Sequence, residues 1–245
     1  MGISLVFTSG KGGTGKSTAV SVIASCLAAL GKRTLCIDMD LRLPNLDLVL
    51  GMSDLTTLDI SDVAAGRNAL EEAVQEHPMI KGLFLLAGPA LCTEELTAEA
   101  LTLIVGQARD AYDYCLIDGP AGLGELFYLT AKDADAVIVV ATTDATSQRD
   151  AQRVVMELDE IGIPQIRLLL NRVRVRMVEK SPINVDDIID FVGAQLIGVV
   201  PEDQDVIEAA SRLRPLVLYS RRWAASAFLR IAKRIMGEDV PLAYR

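Results

Sequence analysis

The run Gly10-Lys11-Gly12-Gly13-Thr14-Gly15-Lys16-Ser17 limits what this chain can fold into more than any other segment. It fits the pattern G-x-x-x-x-G-K-[ST]. An apolar run over 5–9 precedes it and reads as a strand. Residues 16–30 follow it and read as an apolar helix stopped by Gly31. Strand, glycine-rich loop and helix in that order are what a phosphate cradle requires. Glycines let the backbone curl until successive N–H groups point inward at phosphate oxygens. The helix start adds partial positive charge. Lys16 is then placed to reach β- and γ-phosphates, and the Ser17 hydroxyl to ligate Mg²⁺.

The rest of the chain carries the pattern of a fold that can hold such a loop. Strand-like runs recur at 34–38, 83–86, 114–118, 136–142, 167–171 and 196–200. Several are apolar at consecutive positions, as strands buried on both faces are. Helix-period segments over 97–108, 151–161 and 186–195 separate them, the last preceded by Asn184 as N-cap with Asp187 three residues on. This alternation predicts an α/β fold, a mostly parallel twisted sheet with helices on both faces. No Pro/Gly/Ser linker interrupts the 245 residues, so one domain over 1–245 is expected.

Composition narrows the function classes. Acidic residues outnumber basic ones 33 to 24, a net charge of −9, which argues against broad non-specific nucleic-acid binding. No run of 18 apolar residues occurs, and no basic leader with a cleavage site is visible, so a cytoplasmic chain is expected. Cys26, Cys36, Cys92 and Cys115 form no C-x-x-C pair and sit in or beside apolar segments, where they read as small buried hydrophobes. The single histidine, His77, precedes Pro78 in a polar stretch and reads as a surface loop residue.

Carboxylates fall where open α/β sheets bind ligands, at strand ends. Asp38-Met39-Asp40 follows the second strand-like run, and Asp118-Gly119-Pro120-Ala121-Gly122 closes the fourth. An apolar strand ending in Asp is suited to holding Mg²⁺, usually through water. Asp47 reads as a turn or helix cap. Asn171-Arg172 ends a late strand, and Pro201-Glu202-Asp203 follows the last one.

Lys11-Gly12-Gly13-Thr14-Gly15-Lys16-Ser17-Thr18 resembles the deviant phosphate loop of the MinD/ParA family of ATPases, K-G-G-x-G-K-[ST]-[ST], at every position. The resemblance implies an ATP/ADP site with Mg²⁺. It makes Lys11 a signature lysine that reaches the nucleotide of a second subunit. Asp38 would support the magnesium site beside Ser17, Asp40 would position the attacking water, and Asp118 would be the Walker B carboxylate. Gly119 to Gly122 would then sense the γ-phosphate. Asn171, with Arg172, would face the adenine edge, and Pro201, Glu202 and Asp203 would close over the base.

Within the family, Pro44-Asn45-Leu46-Asp47-Leu48, Gly51, Gln148-Arg149-Asp150-Ala151, Asn171-Arg172-Val173-Arg174 and residues 231–241 look most like the branch that selects the cell-division site. That likeness implies an ATP-dependent sandwich homodimer, a protein adaptor and regulator, slow turnover alone, and peripheral association with the inner face of the cell membrane. A ParA-like partitioning ATPase on a DNA track, a flagellar-number regulator and an iron–sulfur carrier are the competing readings. Net charge disfavours the first, and the absence of a cysteine pair the last. The usual membrane-targeting helix is not visible after residue 241. Residues 221–236 are basic and amphipathic, with Trp223 near their start. Such a segment either packs on the sheet or lies in a membrane interface.

Overall fold

The structure, a computed structural model, describes residues 1–41, 44–89, 96–174 and 184–242. Its strands are β1 (Ile3–Ser9), β2 (Thr34–Asp38), β3 (Gln75–Glu76), β4 (Leu83–Leu86), β5 (Tyr114–Ala121), β6 (Ala136–Ala141), β7 (Ile166–Val173) and β8 (Gln195–Pro201). They form one sheet in the order β3-β4-β2-β5-β1-β6-β7-β8. All pairings are parallel except β3 with β4. The described helices are α1 (Lys16–Ala29), α2 (Leu46–Leu50), α3 (Ile60–Ala64), α4 (Leu70–Ala73), α5 (Ala98–Ala111), α6 (Glu125–Ala131), α7 (Ala145–Glu160), α8 (Val185–Val192), α9 (Gln204–Ser211), α10 (Leu216–Tyr219) and α11 (Trp223–Ile235).

Consecutive strand residues serve opposite layers, which is why the strands read as unbroken apolar runs. Leu5 and Phe7 pack with α1 and α11, while Val6 between them packs on the other face with Phe127 and Val154. Cys36 joins the first layer and Leu35 and Ile37 the second. Close approach of α11 to β8 depends on Gly198, where a Cβ would strike Ile231.

The apolar face of α11 is buried in this layer. Ala224, Ala227, Phe228 and Ile231 are inaccessible, and Ile235 packs against them. Of the two readings of 221–236, packing on the sheet is the one the fold realises, so that face is not offered to a lipid surface. Trp223 remains 68% exposed. No helix among the described residues is long and apolar enough to cross a membrane.

Several boundaries differ from the sequence reading for identifiable reasons. α7 starts at Ala145, six residues before its apolar stripe, because Asp144 caps it by accepting from the Ser147 N–H and its first turns are polar. α8 starts in the expected Asn184–Asp187 capping box but ends at Val192, where Gly193 turns left-handed (φ 80°). The two-residue β3 and the short helices α2, α3, α4, α6, α9 and α10 carry too little periodicity to announce themselves.

His77 corrects the expectation of a surface loop residue: it is 3% exposed. Its Nδ1 accepts from the Met79 and Ile80 N–H groups, and its Nε2 lies 3.1 Å from the Leu50 carbonyl. Those bonds fix the tautomer with the proton on Nε2. The ring thus ties the turn after β3 to the end of α2. Cys26, Cys36 and Cys115 are buried as expected, and burial pushes the Cys26 and Cys115 thiols up to about 12. Cys92 lies outside the described residues.

Candidate functional site

The glycine loop sits where β1 gives way to α1, at the carboxyl edge of the sheet. The Ser9 hydroxyl donates to the Lys11 carbonyl (2.9 Å) and sets the first bend. Gly13 (φ 81°) and Gly15 (φ 90°) take left-handed backbone. No side chain caps α1, and no acidic residue occupies its first turn, so its leading N–H groups are left for an external anion. A Cβ on Gly12 or Gly13 would meet nothing within 4 Å, so space stands open over the loop. Among the described residues, the Thr14 hydroxyl is the one buried side-chain polar atom without a hydrogen-bond partner. An orphaned buried hydroxyl is costly and leaves a hydrogen-bonding group here for a ligand oxygen or a water.

Beside the loop a compact charge cluster forms. Lys16 is 6% exposed, and its Nζ lies 2.8 Å from Asp118 Oδ1 and 3.7 Å from Asp40 Oδ2. Ser17, at the start of α1, stands near enough to the Asp118 carboxylate to favour its charged form. Asp38 and Asp118 stand level on the neighbouring strands β2 and β5, each 1% exposed. Burial raises the Asp118 carboxyl above its ordinary value, an effect opposed by Lys16 and Ser17. Burial and the nearby Asp118 push Asp38 up to about 7, although three backbone N–H groups favour its charged form. Those donors are Asp40 to Oδ1 and Asn45 and Leu46 to Oδ2. Asp38 therefore anchors the segment after β2 and supplies the start of α2 with the acceptor that Asn45 does not. Asp47 lies in the first turn of α2, where its charge complements the helix start, and the capping bonds there go to Asp38 instead.

Lys11 is exposed, yet its ammonium is engaged within the chain. Its Nζ donates to Asp144 Oδ1 (2.8 Å) and contacts the Thr146 hydroxyl (3.1 Å). These contacts, with the Thr142 hydroxyl, hold the Asp144 carboxyl well below the usual carboxylate range. Sequence reasoning missed Asp144. The available signal was a polar Thr-Thr-Asp-Ala-Thr-Ser run directly after an apolar strand, which is a capping pattern.

At the end of β7, Asn171 is 5% exposed and its Nδ2 donates to the Thr14 carbonyl (2.8 Å). Its Oδ1 accepts from the Arg172 N–H (3.0 Å). Arg172 has φ 56°, and its guanidinium donates to the Gly13 carbonyl (3.2 Å). Both residues therefore touch the phosphate loop itself. Pro201 ends β8, Glu202 pairs with Arg174, and the Asp203 carboxylate accepts from the Asp205 and Ala224 N–H groups. Thr18 lies in the first turn of α1, where its carbonyl accepts from the Ser21 hydroxyl.

The residues present fit a magnesium-bound nucleoside polyphosphate. The fit rests on the open loop, the orphaned Thr14 hydroxyl, the buried lysine, and a hydroxyl beside carboxylates. Among the described residues no three His, Cys, Asp or Glu side chains form a metal cage.

A parallel sheet with a glycine loop between its central strand and α1, a buried lysine at the helix start and carboxylates on adjacent strand ends define a P-loop nucleotide-binding protein of the α/β class. Residues 5–216 match the family described as the CobQ/CobB/MinD/ParA nucleotide binding domain, and the chain belongs to that family. It is 35% identical to the septum site-determining protein MinD of Bacillus subtilis, over 99% of this chain and 92% of that protein. The MinC:MinD cell division protein complex of Aquifex aeolicus contains a chain 34% identical, with TM-score 0.92 and 98% of both chains covered. MinD of Pyrococcus horikoshii complexed with Mg-ADP is 28% identical, with TM-score 0.85 over 98% of this chain and all of that one.

Proposed function

We propose that this chain is an ATPase that alternates between an ADP-bound monomer and an ATP-bound sandwich homodimer, and that it positions cell-division machinery. The observation that carries the reading is the convergence of Lys16, Ser17, Asp40 and Asp118 beside an uncapped glycine loop that also bears Lys11. In this reading the loop N–H groups, Lys16 and the Thr14 hydroxyl bind the phosphates. Ser17 and Asp118, with Asp38 behind them, hold Mg²⁺, which offsets charge building on the phosphoryl oxygens. Lys16 leaves Asp118 for phosphate. Asp40, exposed enough to meet solvent, orients the attacking water rather than fully deprotonating it. Lys11 exchanges Asp144 for the nucleotide of the second subunit.

The likeness to MinD proteins, one of them solved with MinC, supports a protein adaptor. A place in the cytoplasm, peripheral at the inner face of the membrane, belongs to the same proposal. Alone, the chain is expected to turn over slowly, at about 10⁻⁴ to 10⁻² s⁻¹, until a regulator binds.

Light scattering of Asp40→Ala with ATP and with ADP tests the cycle. A dimer with ATP alone is expected, while Lys16→Ala loses nucleotide. Equal mass in both nucleotides, or turnover of many per second by the wild type alone, overturns the reading. Salt-sensitive binding of the ATP form to random DNA would replace it with a partitioning function.

A further inference from the structure

We propose that Asn171 and Arg172 are positioning residues that hold the phosphate loop open in its anion-binding shape, whatever base the nucleotide carries. This rests on the nucleotide-binding reading above. The two residues donate to successive loop carbonyls, Asn171 Nδ2 to Thr14 and Arg172 to Gly13. A peptide group whose carbonyl is pulled outward presents the N–H of the next residue inward. Anchoring the carbonyls of Gly13 and Thr14 therefore aims the N–H groups of Thr14 and Gly15 into the cradle.

Three features make the pair a built device rather than a turn. First, both ends of the Asn171 amide are engaged, so its orientation is fixed by protein partners: Oδ1 takes the Arg172 N–H while Nδ2 faces the loop. Second, Arg172 holds left-handed backbone at φ 56°. A non-glycine residue pays strain there, and such strain persists where the surroundings demand it. Here the demand is that one residue place its N–H on Asn171 and its guanidinium on Gly13. Third, the fit at Gly15 is tight, since a Cβ there would collide with Asn171 Nδ2. The glycine at that position serves the clamp as well as the loop's own curl.

The clamp joins β7 to the loop between β1 and α1, across the intervening β6. It thus couples the edge of the sheet expected to meet the base to the centre that holds phosphate. A base-reading role for Asn171 alone and the clamp differ in a measurable way. A base contact matters for ATP and not for a base-free phosphate chain. The clamp matters equally for both.

The test measures the affinity of ATP and of inorganic tripolyphosphate, each with Mg²⁺, for wild type, Asn171→Ala and Arg172→Gly. Loss of one buried, well-aligned hydrogen bond predicts about a 10-fold weakening for Asn171→Ala, equal for the two ligands. Arg172→Gly relieves the left-handed strain, so it should weaken both ligands by about 3- to 10-fold while its melting temperature stays level or rises. A purely structural role would lower stability and affinity together. Weakening of ATP binding with tripolyphosphate binding unchanged overturns the clamp, and so does wild-type affinity for both ligands in Arg172→Gly. A wild-type protein that binds ATP but not tripolyphosphate at millimolar concentration also overturns it, because the cradle would then not be preformed. Failure of the wild type to bind either ligand would instead refute the nucleotide-binding reading.

Discussion

Asp203 offers the sharpest separation of a structural from a ligand-binding role. Its Oδ1 accepts from the Asp205 N–H and its Oδ2 from the Ala224 N–H, both at 3.0 Å. One carboxylate thereby caps α9 as its own N-cap residue and also caps α11, whose N-cap residue Arg222 supplies no side-chain bond. An N-cap acceptor contributes about 1 kcal/mol, so Asp203→Ala should cost about 2 kcal/mol. For a chain of this length that lowers the melting temperature by about 4–8 °C. Asp203→Asn keeps one acceptor and turns an N–H donor toward the other helix, which places it between wild type and Asp203→Ala. Urea unfolding at constant m reads the loss, with ATP affinity measured in parallel well below the melting range. The expected result is graded destabilisation with ATP affinity within about twofold of wild type. An unchanged midpoint in Asp203→Ala would refute the double cap. A lost ATP affinity at full stability would show that the carboxylate serves the base, as the family resemblance implied.

Lys11→Ala should leave the melting temperature within about 2 °C, because an ion pair exposed at both ends contributes under about 1 kcal/mol, yet it should abolish the ATP-dependent dimer seen by light scattering; a normal dimer would remove Lys11 from the interface. Without metal or nucleotide, the Asp38 carboxyl should titrate with a midpoint near pH 7 in carbon-13 spectra, and a midpoint near 4 would show that its three N–H donors outweigh burial. Since its folded pKa lies above the unfolded value, Asp38 contributes stability that is fully present below about pH 4 and lost as pH rises through 7, about 2 kcal/mol between pH 5.5 and 8. His77 works in the opposite sense, because burial lowers its pKa and the stability it gives is lost on acidification below its unfolded value. His77→Ala orphans the Met79 and Ile80 N–H groups and the Leu50 carbonyl, and should cost about 3 kcal/mol in urea unfolding; a loss under about 1 kcal/mol would mean those groups find other partners.

The sheet and the phosphate loop were legible because their signals are local. Strands buried on both faces must be apolar residue by residue, and the loop needs glycines and a lysine at fixed spacing whatever surrounds it. That is why β1, β2, β4 and α1 fall where the sequence places them. α7 starts six residues before its sequence pattern because a cap and polar first turns carry no apolar stripe.

The sequence by itself put Lys16 and Ser17 at the helix start of a phosphate loop and Asp38 and Asp118 at strand ends on the ligand-binding edge of a parallel sheet, and the family resemblance joined them in one site. Only the tertiary structure decided what Asn171, Asp144, Asp203 and His77 do. Each makes its decisive bond to a group distant in the chain: Asn171 to Thr14, Asp144 to Lys11, Asp203 to Ala224, and His77 to Leu50. A short polar side chain can cap, turn or bind equally well from its own local sequence. Which it does depends on the N–H, carbonyl or ammonium that the fold brings to within about 3 Å, because a hydrogen bond is short-ranged and directional.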